Sequence, residues 1–511
     1  MLTRHSNIAA LLLGLLSATG FAPLQLWPLT LISFALFLFV VERAESRNGA
    51  LVRGWWFGMG HFTAGLNWIA HAFTFQDAMP HWFGYGAVVL LSLYLAIFPA
   101  MAAGLAWRYG RGDRLPFVLL FAAAWILTEW LRANLFTGFA WNPLGVIWMA
   151  VPPLADSARW IGTYGLSGLT ILIAGLFLLA ASRPHRKAAA SLALILALFM
   201  SVAALTRPTV PESRTTRIRI VQPNIGQQDK HSATQEENNF RKLASLTGTS
   251  SQTPRLVFWP EAAIPAFLDM EPEWRNRLAA LLGPNDLLLT GGVKLYVEYE
   301  DKGGYQSSKL LGANNSLWVL TPDSRLIGRY DKAHLVPYGE YLPLRTILAP
   351  LGLSRLVPGD VDFWPGSGPQ TLMLPAAPGR PPLGMAAQIC YEIIFSGKVV
   401  DKAHRPDFLF NPSNDAWFGS WGPPQHLAQA RLRALEEGIP ILRSTPTGIS
   451  AIIGADGQIL DSIPHEQAGY IDGFLPPKLP PTLFSRIGNF APFLFGLLIF
   501  ACAIALRSRS R

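Results

Sequence analysis

Long apolar stretches fill most of the first 205 residues, and one more lies near the carboxyl end of the chain. A helix that spans a bilayer needs about 20 mostly apolar residues, and several of these stretches reach that length only with their flanks. They predict an α-helical membrane domain of about eight helices. The stretches are Ile8–Phe21, Leu24–Val41, Gly54–His71, Gly84–Trp107, Leu115–Leu131, Leu166–Ala181, Ala188–Leu205 and Phe490–Leu506.

The first stretch also has the pattern of a signal peptide, because Arg4 precedes a short apolar core. The second stretch follows almost at once, across Gly20-Phe21-Ala22-Pro23. This close spacing favours a helical hairpin over a cleaved leader.

Basic residues are distributed unevenly among the predicted loops. If the amino terminus lies inside, the inner loops and the two termini hold thirteen Lys and Arg residues. The outer loops among the first seven helices hold only Arg159 and, near a helix end, Arg132. Cytoplasmic loops carry the excess of basic residues in membrane proteins. Residues 206–486 are therefore predicted to lie outside the cytoplasm, between the seventh and eighth helices.

The net charge of +9 could by itself indicate a nucleic-acid partner. Residues 1–205 and 487–511 together hold 15 basic and 6 acidic residues, whereas residues 206–486 hold 27 of each. The excess positive charge therefore belongs to the membrane part and reports its topology. No nucleic-acid partner is expected.

Residues 206–486 have the texture of a separate domain. Short β-rich runs, such as Leu256–Trp259 and Gly384–Ile389, alternate with helical stretches, such as Gln425–Glu437. Such alternation predicts a layered α/β fold. The expected organisation is a membrane domain of seven helices over 1–205, an external domain over 206–486, and an eighth helix with a basic cytoplasmic tail over 487–511.

The two cysteines limit where thiol chemistry can occur. Cys502 falls within the last apolar stretch, so Cys390 is expected to be a free thiol in the external domain. Cys390 follows a predicted buried strand, at a strand-to-helix junction of the kind that directs a side chain into a cleft. A nucleophilic thiol needs a neighbouring base or cation. Burial without a function is the alternative.

Glu261 and Lys332 lie at the ends of two other predicted strands and are candidates for those partners. A partly desolvated carboxylate can act as a base, and a lysine can stabilise a thiolate and then an oxyanion. A surface carboxylate and a solvated lysine are the alternatives, because spacing alone does not show that the three residues meet. The histidines lack metal-ligand spacing, so no metal is expected.

These residues carry a resemblance to the nitrilase superfamily, whose domain is an α-β-β-α sandwich. Glu261 after Phe258-Trp259-Pro260, Lys332 after Tyr330-Asp331, and Cys390 in Ile-Cys-Tyr-Glu resemble its Glu–Lys–Cys triad in order and in separation, 71 and then 58 residues. The run from Asn411 to Gly419 resembles the segment that follows the cysteine in that superfamily.

With eight predicted spans, the whole chain resembles the apolipoprotein N-acyltransferase family of the bacterial inner membrane. The runs Gly138–Pro143 and Pro337–Pro343 are also similar to that family. One departure lies at residues 227–231, where family members often have a tryptophan.

The resemblance implies a two-step acyl transfer. Glu261 would deprotonate Cys390, the thiolate would take an acyl chain from a phospholipid, and Lys332 would stabilise the oxyanion. The acceptor would be the α-amino group of a diacylglyceryl-cysteine at a lipoprotein N-terminus. The resemblance implies no cofactor, a periplasmic site, and a supporting role for Glu340. Tyr391 and Glu392 flank Cys390 and are expected to shape the site, with packing and surface solvation as the alternatives.

Two external segments are apolar enough to contact lipid. Tyr341–Trp364 contains Leu351 and Leu353, and it is predicted to be a mobile lid that dips into the membrane surface. Trp417 and Phe418 are expected to serve access in the same way. Packing of both segments under the external domain is the alternative.

Other functions remain open from the sequence. A membrane-tethered amidase or nitrile hydrolase would use the same three residues, although a tether needs only one helix. A transporter or receptor with an external binding domain predicts polar residues along the membrane helices, and few are present. Glu129 and Arg132, at i and i+3 on one helix, are expected to form a structural ion pair.

Overall fold

The computed structural model of the chain describes residues 4–75, 80–210, 215–230, 232–249, 253–301, 306–351, 355 and 361–509. The described residues before position 206 are mainly helical. Their α-helices are α1 (Ser6–Ser17), α2 (Trp27–Glu42), α3 (Arg47–Gly65), α4 (Ile69–Ala72), α5 (Phe83–Leu95), α6 (Ile97–Gly110), α7 (Arg114–Arg132), α8 (Pro152–Ala155), α9 (Ala158–Ala180) and α10 (Arg186–Leu205). The last helix of the chain, α17 (Phe490–Arg509), packs against α7 and α9. We call α1–α10 with α17 the helical part.

Each predicted apolar stretch is mainly helical, although Gly54–His71 and Gly84–Trp107 are each divided between two helices, so the prediction of a multi-span helical domain is confirmed. Five segments within the described residues are long and apolar enough to cross a membrane: Phe83–Gly110, Arg114–Arg132, Ala158–Ala180, Arg183–Leu205 and Phe490–Ser508. α1 and α2 are shorter apolar helices. The first of the five segments is divided into α5 and α6 at Ala96.

The first helix is an integral element of the helical part, because it packs tightly along α3. Glycines permit this close approach. A side chain at Gly14 would collide with the carbonyl of Phe57, and one at Gly60 would collide with the carbonyl of Leu11. Small residues commonly allow membrane helices to approach in this way.

Residues from 217 to 474 form two six-stranded sheets. Their strands are β1 (Arg217–Gln222), β2 (Arg255–Phe258), β3 (Leu287–Asp301), β4 (Gln306–Leu320), β5 (Leu326–Asp331), β6 (Thr371–Leu374), β7 (Leu383–Ala387), β8 (Phe408–Pro412), β9 (Ile441–Ser444), β10 (Ser450–Ile453), β11 (Ile459–Ile463) and β12 (Gly469–Phe474). The sheet orders are β12-β1-β2-β3-β4-β5 and β11-β10-β9-β8-β7-β6. β1, β2 and β3 are parallel, as are β7, β8 and β9.

The sheets pack face to face, and apolar side chains such as Phe258 and Phe410 fill the space between them. Helices cover both outer faces. The remaining α-helices are α11 (Gln227–Lys230), α12 (Glu236–Thr247), α13 (Pro272–Ala279), α14 (Arg345–Leu348), α15 (Gly422–Glu437) and α16 (Leu483–Ile487). α12 and α13 cover the first sheet, and α15 covers the second. The predicted α-β-β-α sandwich is therefore confirmed.

α15 also connects the sandwich to the helical part. One continuous apolar cluster joins α15, the second sheet and the helical part. The backbone of α9 is non-helical at Gly162, where φ is +63°. The next residue, Thr163, donates its backbone N–H to Glu436 of α15 over 2.6 Å, and its hydroxyl donates to the same carboxylate oxygen over 2.7 Å.

Candidate active site

The three candidate catalytic residues lie just beyond the carboxyl ends of strands. Glu261 follows β2 by three residues, Lys332 follows β5 directly, and Cys390 follows β7 by three residues. A side chain at Gly291 of β3 would put its Cβ only 2.7 Å from the Cα of Glu261, so a glycine there allows the backbone of Glu261 to sit against β3. All three side chains are buried.

Lys332 lies between two carboxylates. Its Nζ is 3.0 Å from Oε1 of Glu340 and 3.6 Å from Oε1 of Glu261. Burial favours the neutral amine, but the two carboxylates outweigh it and raise the pKa of Lys332 above its usual value. Lys332 is therefore a permanent cation at this site over the physiological pH range.

Asn315 holds the same two carboxylates together, although it is not among the site residues predicted from the sequence. Its Nδ2 donates to Oε1 of Glu261 over 2.7 Å and to Oε1 of Glu340 over 2.9 Å. Its carbonyl accepts from the backbone N–H of Lys332 over 2.8 Å, which continues the pairing of β4 with β5. Asn315 lies in the middle of β4, where no local sequence signal marks it as a site residue.

Cys390 occupies a strained turn between β7 and a short 3₁₀ helix, Cys390–Ile394. Its φ is +52°, in the left-handed region that non-glycine residues seldom adopt. Burial raises the pKa of the thiol to about 12, and the negative charge of Glu261 adds to the effect. Cys390 is therefore a neutral thiol at rest, and it would need a base to act as a nucleophile.

Glu392 joins the Cys390 turn to the Lys332 segment. One carboxylate oxygen accepts the backbone N–H of Ile389 over 2.7 Å. The other accepts the backbone N–H of Ala333 and the hydroxyl of Tyr330, each over 2.8 Å. Burial raises the pKa of Glu392 to about 7. Glu392 therefore connects the turn of Cys390 with the segment of Lys332.

The remaining supporting and access residues lie toward the helical part. Tyr391 is buried, and its hydroxyl donates to the carbonyl of Gly138 over 3.4 Å. Trp417 packs edge-on against Phe75, and Phe418 packs against Trp68 and Trp141. These contacts place both aromatic side chains on the helical part. Their role in access stays a prediction.

Part of the predicted lid falls outside the described residues, including Leu353. Leu351 ends a short 3₁₀ helix, Ala349–Leu351, that follows α14. Leu344, just before α14, is 69% exposed, and Ile347, within α14, is 58% exposed. The described part of the segment thus presents apolar surface, as a lipid-contacting element would.

Lys230 is a second lysine at the site that the sequence analysis did not select. It ends the short helix α11, and its Nζ donates to the backbone carbonyl of Glu261 over 2.9 Å. Burial lowers the pKa of Lys230 to about 8, and Glu261 and Cys390 oppose that shift only in part. Lys230 therefore places an additional, titratable cation beside Glu261, the candidate base.

Glu129 and Arg132 lie in the helical part, away from the thiol. Their closest charged atoms, Glu129 Oε1 and Arg132 Nη2, are 3.9 Å apart, and both side chains are buried. Arg132 also donates to the backbone carbonyls of Phe139 and Trp141. These contacts fit a structural pair. Within the described residues, no group of three or more His, Cys, Asp or Glu side chains is arranged to hold a metal ion.

Comparisons with known proteins agree with this architecture. Residues 13–176 match the family model of the apolipoprotein N-acyltransferase N-terminal domain, and residues 217–478 match that of carbon-nitrogen hydrolase. Apolipoprotein N-acyltransferase of Rhodopseudomonas palustris is 35% identical over 94% of this chain and 91% of its own length. That of Caulobacter vibrioides is also 35% identical, over 98% of this chain and 94% of its own length.

Identity at this level over nearly the whole of both proteins, together with the two domain matches, confirms the resemblance found in the sequence. The chain is a membrane enzyme that belongs to the apolipoprotein N-acyltransferase family.

Proposed function

We propose that this N-acyltransferase moves an acyl chain from a phospholipid to the α-amino group of a diacylglyceryl-cysteine at the N-terminus of a lipoprotein. The observation that carries the proposal is that Glu261 and Lys332, 3.6 Å apart, both act electrostatically on the buried thiol of Cys390. The next residue, Tyr391, contacts the helical part. Both substrates carry acyl chains, so a site beside membrane helices suits them better than one open to water.

In the first half-reaction, Glu261 takes the proton of the Cys390 thiol as the sulfur attacks the ester carbonyl of the phospholipid. Negative charge passes from the carboxylate through the sulfur to the carbonyl oxygen. Lys332 and a backbone N–H near Cys390 stabilise that oxyanion. The glycerol oxygen then leaves with the proton held by Glu261, which yields a lysophospholipid and a thioester on Cys390.

In the second half-reaction, the neutral α-amino group attacks the thioester. Glu261 takes a proton from the nitrogen, and the thiolate of Cys390 leaves and recovers a proton. The product is an amide on the lipoprotein and a free thiol on the enzyme. One covalent intermediate shared by two substrates predicts ping-pong kinetics.

The supporting residues act through these groups. Glu340 and Asn315 hold Lys332 in place, and Glu392 holds the Cys390 turn. Tyr391 contacts the loop of the helical part at Gly138, where we propose that an acyl chain enters. Leu351, Leu353, Trp417 and Phe418 are proposed to line that entrance.

The proposal places the protein in the bacterial inner membrane with the sandwich on the periplasmic side. Residues 1–205 would form the first membrane domain, 206–486 the catalytic domain, and 487–511 the returning helix and tail. The basic inner loops support this orientation.

Replacement of the nucleophile tests the proposal. Incubation of the wild-type enzyme with phospholipid should add one acyl mass to the Cys390 peptide, and hydroxylamine should remove it. Cys390→Ala should lose both that adduct and the phospholipid-dependent acylation of a diacylated lipopeptide. The Cys502→Ser variant, which lacks the other thiol, should keep both the adduct on Cys390 and the acylation of the lipopeptide. Retained acylation in Cys390→Ala would contradict the mechanism, and release of ammonia from amides without acyl transfer would favour an amidase.

A further inference from the structure

A network of buried polar groups holds the main-chain carbonyl of Cys390. Nε2 of His426 lies 3.1 Å from that oxygen. A carbonyl oxygen can only accept, so Nε2 of His426 must carry the hydrogen. Burial lowers the pKa of His426, so the ring is neutral and its Nδ1 must accept. Nη2 of Arg443 lies 3.0 Å from that Nδ1 and also donates to Asp415, which lies beside the ring. His426, Asp415 and Arg443 are fully buried.

The charges of this network are balanced. Burial alone would raise the pKa of Asp415, but Arg443 outweighs it and keeps that pKa below its usual value. Asp415 is thus a permanent anion paired with Arg443. A buried pair of this kind must have its hydrogen bonds satisfied to persist. His426 is therefore held in one orientation, with its Nε2–H directed at Cys390.

This contact matters because of the backbone conformation of Cys390. A non-glycine residue with φ of +52° stays there only if its surroundings enforce it. The peptide between Cys390 and Tyr391 is planar, and its carbonyl and N–H point in opposite directions. A hydrogen bond that fixes the carbonyl consequently fixes the direction of the Tyr391 N–H, next to the nucleophile.

The residue before His426 attaches the same helix turn to the helical part. Oε1 of Gln425 accepts the indole N–H of Trp141 over 2.8 Å and an amide N–H of Asn142 over 2.9 Å. The same Nδ2 of Asn142 also donates to the backbone carbonyl of Gly65, at the end of α3. The ring of Trp141 lies 5.1 Å from the ring of His426.

We propose that the first turn of α15 is a mechanical link between the helical part and the nucleophile. Gln425 fixes the turn to Trp141 and Asn142, and His426 transmits that position to the carbonyl of Cys390. Gln425 and His426 are positioning residues, since neither side chain is placed to react. The consequence for acyl transfer rests on the proposed function, but the effect on the Cys390 thiol does not.

The rate at which iodoacetamide alkylates Cys390 tests the link, because it reports the thiol without requiring lipid. The full-length enzyme in detergent, with Cys502→Ser, leaves Cys390 as its single thiol. Trp141→Phe keeps an aromatic ring but removes the N–H that Gln425 accepts. We expect it to change the alkylation rate by about fivefold, the factor that corresponds to one ordinary hydrogen bond.

Trp148→Phe is the matched control. Trp148 is also fully buried and lies seven residues away, but its indole N–H donates to Thr170 of α9 over 2.7 Å. In Trp148→Phe, iodoacetamide should alkylate Cys390 at the wild-type rate. If Trp141→Phe does not fold, Gln425→Met removes the same hydrogen bonds from the side of α15.

His426 supplies the second arm. His426→Leu loses the nearer of the two donors to the carbonyl, since Nδ2 of Asn411 also donates to that oxygen over 3.4 Å, and it should shift alkylation at least as far as Trp141→Phe. His426→Gln places an amide N–H at a similar reach and should restore the rate. The link is wrong if Trp141→Phe and His426→Leu both react as the wild type does, or if Trp148→Phe shifts the rate as much as Trp141→Phe.

Acyl transfer measured on the same variants separates this link from the proposed function. If alkylation follows the expected pattern but the wild type transfers no acyl chain, the link stands and the function fails. If the wild type transfers acyl chains and alkylation is insensitive to Trp141 and His426, the function stands and the link fails.

Discussion

In the proposed mechanism, Glu261 is the base that activates the buried thiol of Cys390. The pKa of about 12 of the Cys390 thiol leaves almost no thiolate at neutral pH. Glu261→Gln keeps the size of the side chain and an oxygen that can accept from Asn315, but it removes the base. We expect the rate of thioester formation to fall by about 10²- to 10⁴-fold, the usual contribution of general-base catalysis.

Single-turnover mass spectrometry of the Cys390 peptide measures that rate. Glu237→Gln is a suitable control, because Glu237 is an exposed carboxylate on α12 that pairs with Arg241 and Arg277 at the surface. It should form the thioester at the wild-type rate. A Glu261→Gln enzyme that forms thioester as fast as the wild type would remove Glu261 from the mechanism.

We expect Lys230 to make the rate of the first half-reaction fall at alkaline pH. The groups that face it are Glu261 and Cys390. Since burial lowers the pKa of Lys230 to about 8, the side chain is cationic below pH 8 and neutral above it. Its charge favours the anionic sulfur, so the rate of thioester formation should fall as the pH rises through about 8.

Lys230→Arg keeps the charge at all accessible pH values and should remove that alkaline fall. Lys230→Met should give a rate that is low and nearly flat over the same range. Thioester formation from phospholipid, followed from pH 6 to 10 (about two units either side of the lowered pKa), avoids the titration of the acceptor amine. An alkaline fall that survives in Lys230→Arg would show that another group titrates.

At the level of single residues, sequence reasoning was most informative at strand ends. Glu261, Lys332 and Cys390 each follow an apolar run, so their positions were visible locally. The local sequence does not mark Asn315, because this residue reaches the site only through the pairing of β4 with β5. Lys230 reaches it through α11, where the sequence departs from the family pattern.

The short helix α14 presents apolar side chains to the surroundings rather than to the sandwich. Ile347 is 58% exposed there. An exposed apolar side chain near a membrane favours contact with lipid. Ile347→Asp should therefore lower turnover on phospholipid in bilayers while leaving alkylation of Cys390 by iodoacetamide unchanged.

Met373 provides the matched control. It is 66% exposed, and it lies on β6 at the edge of the second sheet. Met373→Asp should keep wild-type turnover in the same bilayers. Equal losses in the two variants would mean that added charge, and not the place of Ile347, lowers the rate.

Elements with a strong apolar pattern were predictable, and those without one were not. β2 and β7 are buried on both sides, so they appear as continuous apolar runs. β11 and β12 lie at the edges of the two sheets, are largely exposed and have mixed composition, and they were not predicted. The division of α5 from α6 at Ala96 is explained by Pro99, which cannot donate to the carbonyl of Leu95 four residues earlier, although the apolar pattern continues through it.

At the scale of the whole molecule, the docking of the sandwich on the helical part could not be read from the sequence. The contacts that make it join distant residues, such as Trp141 with Gln425 and Thr163 with Glu436. A pattern of apolar runs shows that α15 is buried, but not which surface covers it. The charge pattern predicts on which side of the membrane the sandwich lies, but not how it is seated.

Because the sandwich packs against the helical part in this way, we expect the sandwich to need the helical part in order to remain folded and soluble. α15 is covered by the second sheet on one side and by the helical part on the other, within one apolar cluster. Residues 206–486 produced alone would expose the second side, and Glu436 would lose its two donors from Thr163. An exposed apolar face of this kind promotes association.

We therefore expect the isolated sandwich to aggregate in buffer without detergent, and any monomer recovered to alkylate Cys390 at a rate different from that of the full-length enzyme. Size-exclusion chromatography and the iodoacetamide assay measure the two properties. A monomeric, soluble sandwich whose Cys390 reacts as in the full chain would show that the nucleophile is set by the sandwich alone, because the contacts of Gln425 with Trp141 and Asn142 are absent from it.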